Sequence, residues 1–265
     1  MKRFLLTIAT LTAALLSYAQ NQQPKMPENI AYFEFNYNVV QPEGRSYNHN
    51  PTFFIYPDTK VDEAGAKELV EKFDMRDVIK ENHVSIYVIN PVDEKYDKTA
   101  DFEGFKEVFN RARSGNLKVI GIGNGATFIN SVLAPTDAAG HIAGILTIDG
   151  KPGKTPAQSW GVPAYVAGKN AAKSAKPYIA MNKAVKDDDR YVNAEEELLA
   201  VVVDEDTDAT LAETFDKAWD EILVRNIDST TINTPIMKEQ SMDSMVHTSS
   251  SHTQYTNPSA SEERR

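Results

Sequence analysis

The stretch that decides the fold is Leu117-Lys118-Val119-Ile120-Gly121-Ile122-Gly123-Asn124-Gly125-Ala126-Thr127-Phe128-Ile129-Asn130. It begins as a largely apolar strand, passes through three alternating glycines and continues with apolar residues at helical spacing. A strand, a tight glycine turn and a helix in this order make one β-α unit. We therefore predict a strand over 117–120 and a short helix over 126–133, joined by a turn in which glycines permit close approach.

The glycine turn has three interpretations. Gly121 and Gly125 flank it as the glycines of a G-x-S-x-G nucleophile elbow do, with Gly123 at the serine position. Gly121, Gly123 and Ala126 also fit a dinucleotide loop, and Asp149 lies near the end of the next predicted strand, where a ribose-binding acid would be. In the third interpretation, the glycines serve close packing alone. The residues themselves leave all three open.

The rest of the chain alternates strands and helices around this unit. Further strands are predicted over 32–39, 53–56, 84–89, 141–148, 162–167, 178–181 and 198–203, and helices over 62–80 and about 102–109. Thr210 and Glu213 form a capping box that opens a last helix running to about Arg225. This alternation predicts an α/β fold: a mostly parallel sheet with helices on both faces and an antiparallel entry strand.

The N-terminus has the pattern of a cleavable signal peptide. Lys2 and Arg3 precede an apolar run over 4–16, and small residues end at Ala19. The run is too short for a membrane span, and no later run reaches about 18 apolar residues. We expect cleavage after Ala19 and a periplasmic or extracellular protein.

The composition of the remaining chain predicts three segments and excludes some classes of function. We expect a leader over 20–30, a domain over 31–227 and a disordered Ser/Thr-rich tail over 228–265. Cysteine is absent, which excludes disulfides and thiol catalysis. Loss of Lys2 and Arg3 takes the formal net charge from −10 to −12. An acidic chain without a basic stripe argues against nucleic acid and anionic membranes as partners.

The order of these elements resembles secreted α/β-hydrolase esterases of the polyhydroxybutyrate-depolymerase and feruloyl-esterase-like group. The resemblance runs from about Phe53 to Arg225. Its most specific stretches are Val119–Thr127, which looks like the elbow, and Phe215-Asp216-Lys217-Ala218-Trp219-Asp220, which is similar to an F-x-x-A-W-D segment of Bacteroidetes relatives. It implies an α/β-hydrolase fold and, in competent members, a serine esterase.

This chain departs from that family at every catalytic position. Tyr56-Pro57-Asp58 stands where the family has His-Gly of the oxyanion loop, and Pro57 has no N–H to donate. Gly123 replaces the elbow serine. No acid follows the strand over 162–167, and no histidine occurs between His141 and His247. We therefore expect a degenerate elbow, a degenerate oxyanion loop and no catalytic residues.

Other candidate sites are weaker. The candidate ligand-binding residues are Asn124 in the turn, Asp149 after the next strand, and Tyr165 in the strand over 162–167. Asp204-x-Asp206-x-Asp208 begins like a calcium loop but lacks its later ligands, so no metal and no cofactor are expected. Tyr and Phe alternate over 32–37, which suits contact with a sugar or a protein.

The sequence thus predicts an exported, hydrolase-like domain that is catalytically inactive and binds a glycan or a protein partner. One alternative is an active secreted carboxylic-ester hydrolase with displaced catalytic groups. Another is a nucleotide-binding module that uses the turn from Gly121 to Gly125.

Overall fold

The structure is a computed structural model that describes residues 26–36, 50–112, 114–156 and 160–224. The predicted signal peptide, the leader up to residue 25, the end of the first predicted strand (37–39) and the predicted tail lie outside these residues. Those assignments stay predictions.

Within the described residues, nine strands form one sheet in the order β1-β3-β2-β4-β5-β6-β9-β8-β7. The strands are β1 (Ile30–Asn36), β2 (Thr52–Tyr56), β3 (Val84–Ile89), β4 (Leu117–Ile122), β5 (Gly144–Ile148), β6 (Ala164–Ala167), β7 (Val185–Asp187), β8 (Arg190–Val192) and β9 (Val201–Asp204). Strands β3, β2, β4, β5, β6 and β9 run parallel, while β1, β8 and β7 are joined by antiparallel pairing. The predicted mostly parallel α/β sheet with an antiparallel entry strand is confirmed.

Helices cover both faces of the sheet. They are α1 (Glu63–Lys72), α2 (Arg76–Glu81), α3 (Ala100–Ala112), α4 (Asn124–Phe128, continued by a π-helical turn, Ile129–Leu133), α5 (Ala171–Met181) and α6 (Leu211–Ala218, continued by a π-helical turn, Trp219–Leu223). Helices α3, α4 and α5 pack on one face and bury side chains such as Phe105, Phe128 and Tyr178. Helices α1, α2 and α6 pack on the other, with Val70, Val78 and Phe215. This arrangement, with helices on both faces of a mostly parallel sheet, is the architecture predicted from the sequence.

The strand order places a switch in chain direction at the centre of the sheet. From β2 the chain moves to β3 on one side, then returns through α3 to β4 on the other side of β2. Ligand sites of open α/β sheets lie at such a point, in the crevice outside the carboxyl ends of the strands. Here the crevice lies between the ends of β2 and β4.

Several predicted element boundaries were wrong. The predicted strand over 178–181 is the end of helix α5, because a short apolar run alone does not distinguish a strand from a buried helical face. The predicted helix over 62–80 is two helices, since Asp74 adopts a left-handed φ of 48° between them. Strand β5 begins at Gly144, after a 3-10 turn (Asp137–His141), rather than at His141. The hairpin of β7 and β8 was not predicted.

The start of the last helix agrees with the sequence. The Thr210 side chain accepts from the Glu213 N–H, and the Glu213 carboxylate accepts from the Thr210 N–H, as the capping box requires. Among the described residues, no helix is long and apolar enough to cross a membrane.

Candidate functional site: a filled elbow at the centre of the sheet

The turn after β4 has the conformation of a tight elbow. Gly123 adopts φ 54° and ψ −109°, a left-handed region in which residues with a Cβ are strained. Its N–H donates to Ile148 O at 2.9 Å, and its carbonyl accepts from the Thr127 N–H at 2.9 Å. The turn is therefore fixed to β5 on one side and to the first turn of α4 on the other.

The two flanking glycines allow backbone-to-backbone packing. A Cβ on Gly121 would lie 2.5 Å from Ile129 Cδ1 and 2.6 Å from Ala126 N. A Cβ on Gly125 would overlap the Tyr56 carbonyl and lie 2.6 Å from its carbon. Real Cβ atoms do not come this close to backbone atoms, so close packing of α4 against β4 and the end of β2 requires both glycines.

The carboxylate of Asp58 fills the space in front of Gly123. Asp58 Oδ1 accepts from the Asn124 N–H at 2.7 Å, and Asn124 Nδ2 donates to the Asp58 carbonyl at 3.2 Å. A Cβ on Gly123 would overlap Asp58 Oδ1 and lie 2.5 Å from its Cγ. The side chain of residue 58 thus occupies the volume that a nucleophile at position 123 would need.

The Asn124 N–H, which donates to Asp58, has the position of a catalytic hydrogen-bond donor. In a nucleophile elbow, the N–H of the residue after the nucleophile is an oxyanion-hole donor. Here that donor belongs to Asn124, and it already binds the negatively charged oxygen of Asp58. An exposed carboxylate of the same chain therefore lies where the oxygen of an acyl substrate would be stabilised.

The rest of the degenerate oxyanion loop is buried structure. The Tyr56 ring lies beneath α4, 5.4 Å from the Phe128 ring and 5.9 Å from the Tyr96 ring between centroids. Burial raises the pKa of Tyr56 well above its ordinary value, and its hydroxyl has no hydrogen-bond partner among the described residues. Pro57 offers only its carbonyl, which accepts from the Tyr96 hydroxyl at 3.1 Å. These side chains hold the loop in place. Asp58 is the residue of the loop whose carboxylate reaches the elbow.

Asp149 lies at the same edge of the sheet but serves another turn. It has a left-handed φ of 57°, and its N–H donates to Ala167 O at 3.0 Å. Its Oδ1 accepts from the Lys169 N–H at 3.1 Å, and a Cβ on Gly168 would lie 3.0 Å from its Cγ. The carboxylate is therefore engaged in the turn between β6 and α5.

The loop after Asp149 packs on the elbow helix. Asn130 donates to Lys151 O at 2.9 Å and accepts from the buried Tyr178 hydroxyl at 2.8 Å. The Lys151 N–H donates to Thr127 Oγ1 at 3.0 Å. The glycine turn lies between Asp58 and this loop, with Asn124 exposed. The carboxylate on the Asn124 N–H would repel a pyrophosphate, which counts against the nucleotide-binding alternative.

Tyr165 is placed away from the elbow. Its side chain lies on the sheet face covered by α6, and its hydroxyl donates to Asp204 Oδ2 at 2.7 Å. Burial, followed by the bond to Asp204, raises the pKa of Tyr165. Burial alone would raise the pKa of Asp204, but hydrogen bonds from Tyr165 and the Asp206 N–H, together with Lys217 at 3.3 Å, lower it overall. This network joins the ends of β6, β9 and α6.

The described histidines lie at the opposite edge from the elbow. His83 precedes β3 and His141 precedes β5, so both are at the amino ends of parallel strands. At about 3.3 Å per residue, a strand of five or six residues separates them from the elbow by roughly 17–20 Å. Ser131, in the elbow helix, donates to Thr127 O at 2.6 Å. Ser159 lies outside the described residues.

The structure thus brings together Asp58 and Asn124 from the predicted set, places Asp149 nearby and separates Tyr165. Their role in binding stays a prediction. Sequence reasoning missed Tyr96, Asn130 and Tyr178, which anchor the loops around the elbow. Among the described residues, no group of three or more His, Asp or Glu side chains is arranged to hold a metal ion.

Comparisons with known proteins do not identify a family for this chain. No family model matches the sequence, and no curated protein matches it. The solved structure of YahD with malic acid resembles part of the chain, with a TM-score of 0.34 and 13% identity. The match covers 57% of this chain and 83% of the YahD chain. Likeness at this level carries no argument about function.

Proposed function

We propose that this chain is an exported, α/β-hydrolase-like domain without hydrolase activity, which acts by binding a glycan or a protein partner. The observation that carries the proposal is the Asp58 carboxylate, held by the Asn124 N–H at 2.7 Å in the space of a nucleophilic side chain. A substrate carbonyl would have to displace a negative charge from the position where its own charge would develop.

Three further features support the absence of hydrolysis. Gly123 supplies no nucleophile, Pro57 supplies no oxyanion donor, and the described histidines lie at the other edge of the sheet. Catalytic triads act as units, and loss of the nucleophile alone removes nearly all of their effect. A single substitution would therefore not restore activity.

Export and binding rest on different features. The basic residues, the apolar run and the Ala19 cleavage pattern support export. Phe33 on β1 is 40% exposed and packs at a tilt against Tyr87, with ring centroids 4.6 Å apart, which gives a partner an aromatic surface. We propose no cofactor for this role.

Labelling with a fluorophosphonate, alongside hydrolysis of short p-nitrophenyl esters, tests the proposal. Residues 20–265 are expected to give no labelling and no turnover above buffer, while a serine esterase in the same assay gives both. Ser131→Ala, in the elbow helix, should behave like the wild type. Stoichiometric labelling of one serine, abolished by its replacement with alanine, would contradict the proposal and favour the esterase alternative.

A further inference from the structure

The loop between β3 and α3 places one side chain in the core. Within residues 92–99, Tyr96 is partly buried and every other residue is exposed. The Asp101 carboxylate accepts from the Val92 N–H at 2.8 Å and from the Asp97 N–H at 2.6 Å, so it joins both parts of the loop to the start of α3. These two hydrogen bonds do not depend on the Tyr96 side chain, which is a separate anchor of the loop.

The Tyr96 ring fills a slot at the carboxyl ends of β2 and β3. It stacks on Phe128 of α4, with ring centroids 5.2 Å apart and an interplanar angle of 19°, and it meets the Tyr56 ring edge-on at 5.9 Å. Its hydroxyl lies 3.1 Å from Pro57 O and 3.0 Å from Ile89 O, two carbonyl oxygens at the ends of these strands. The slot therefore accepts a flat aromatic ring that carries a hydroxyl at its far end.

The slot also has hydrogen-bonding capacity that Tyr96 leaves unused. The Tyr56 side chain is 1% exposed, and its hydroxyl has no hydrogen-bond partner among the described residues. The Tyr96 hydroxyl has one hydrogen for two carbonyl oxygens, because a tyrosine O–H donates once. A buried hydroxyl without a partner costs free energy. A ligand hydroxyl that accepts from Tyr56 while donating to a carbonyl oxygen would remove that cost.

We propose that Tyr96 is a displaceable plug and that the slot it leaves binds a tyrosine side chain of a protein partner. The Phe128 and Tyr56 rings and the two carbonyl oxygens that hold Tyr96 hold the incoming tyrosine in the same way. Displacing Tyr96 costs free energy, so the affinity of the wild type is reduced by the fraction of chains in which the slot is open. This inference rests on the binding role proposed above, and its failure leaves the absence of hydrolysis untouched.

Titration of isotope-labelled residues 20–265 with N-acetyltyrosinamide, followed by NMR, tests the proposal. At about 10 mM, which nearly saturates a site with a dissociation constant of about 1 mM, we expect shifts of the backbone amides of residues 92–99 and of α4. N-acetylphenylalaninamide has the same ring without the hydroxyl. It should bind at least about tenfold more weakly, because Pro57 O and Ile89 O are left without the hydroxyl donor.

Tyr96→Phe keeps the ring of the plug and removes its hydroxyl, so N-acetyltyrosinamide should bind this variant about tenfold more tightly than the wild type. Tyr165→Phe is the matched control, since it removes a tyrosine hydroxyl that donates to Asp204 on the opposite face of the sheet. It should bind like the wild type, and thermal midpoints show that both variants are folded. Absence of shifts in the wild type, equal affinities for the two amides, or equal gains from Tyr96→Phe and Tyr165→Phe would each overturn the proposal.

Discussion

The two ends of strand β4 are packed in opposite ways. At the carboxyl end, Gly121, Gly123 and Gly125 remove side chains so that backbone segments and the Asp58 carboxylate fit together. At the amino end, Lys118 places a long, ionisable side chain in the interior, with no exposed surface. At the carboxyl end, close backbone contacts exclude any side chain larger than glycine. At the amino end, burial disfavours the charged form of Lys118.

The neighbouring strands explain how the lysine is accommodated. Lys118 lies beside Gly144 of β5, where a Cβ would be 3.7 Å from Lys118 Cδ and 3.0 Å from Leu223 Cδ2. Glycine there leaves room for the Leu223 side chain at the end of the last helix, whereas a Cβ would leave the lysine stem at ordinary contact distance. Burial lowers the pKa of Lys118 to about 7. Glycines around β4 therefore make space for a backbone at one end and for a side chain at the other.

The largest expected effect is at the carboxyl end. Gly125→Ala places a Cβ against the Tyr56 carbonyl, and neither β2 nor α4 can move without disturbing the sheet. We expect the free energy of unfolding to fall by about 3 kcal/mol or more, measured by urea denaturation. Gly65→Ala, on exposed helix α1 with its nearest atom at 3.3 Å, is the control and should change stability by about 1 kcal/mol or less. Equal effects of the two substitutions would argue against the packing described for the elbow.

An intermediate effect is expected at the amino end. Lys118→Met keeps the apolar stem and removes the amine, so we expect stability at pH 7 to rise by about 1 kcal/mol or more, because the buried amine gives up a proton that it keeps in the unfolded chain. Lys72→Met, at an exposed position of α1, should be close to neutral. A destabilised Lys118→Met variant would mean that the amine makes a net favourable interaction in the folded state.

The pH dependence of the free energy of unfolding tests the same substitution, and its direction can be predicted. The unfolded lysine keeps its proton up to a pKa of about 10.4, whereas the folded one loses it at about 7. Between these values the unfolded state binds more protons, so wild-type stability should rise with pH by up to about 1.4 kcal/mol per unit. The difference between wild type and Lys118→Met, followed by urea denaturation from pH 7 to 9, should therefore shrink as pH rises.

Much of the fold could be predicted from the sequence because its signals are local. The glycine turn, the apolar run of β2 and the capping box at Thr210 each specify backbone geometry with neighbouring residues. The end of α5 was assigned to a strand because the four residues 178–181 have no decisive period. The hairpin of β7 and β8 was missed because its strands have three residues each and are polar.

The candidate site was predictable only as a set of departures from a family pattern. Tyr56, Pro57 and Asp58 were notable for what they lack, and nothing local indicated that the Asp58 carboxylate would reach Asn124, which is 66 residues away in sequence. Tyr165 was grouped with the elbow because strand order was unknown. Contacts between distant segments decide which side chains meet, and spacing in the sequence does not contain them.

The position of the Asp58 carboxylate implies that Asp58 and a side chain at position 123 exclude each other. A double-mutant cycle of Gly123→Ser and Asp58→Ala, with unfolding free energies from urea denaturation, tests it most directly. Gly123→Ser alone should destabilise through overlap with the carboxylate and through the left-handed φ. In the Asp58→Ala background only the φ penalty remains, so the two changes should couple by about 0.5–1.5 kcal/mol, the cost of turning the exposed carboxylate away from the Asn124 N–H.

Asp62→Ala supplies the comparison, because the Asp62 carboxylate accepts from the Gly65 N–H at 2.8 Å at the start of α1. Its effect should add to that of Gly123→Ser without coupling. Serine at position 123 should therefore cost less stability when residue 58 is alanine than when it is aspartate. Equal costs in the two backgrounds would contradict the claim that Asp58 fills the elbow.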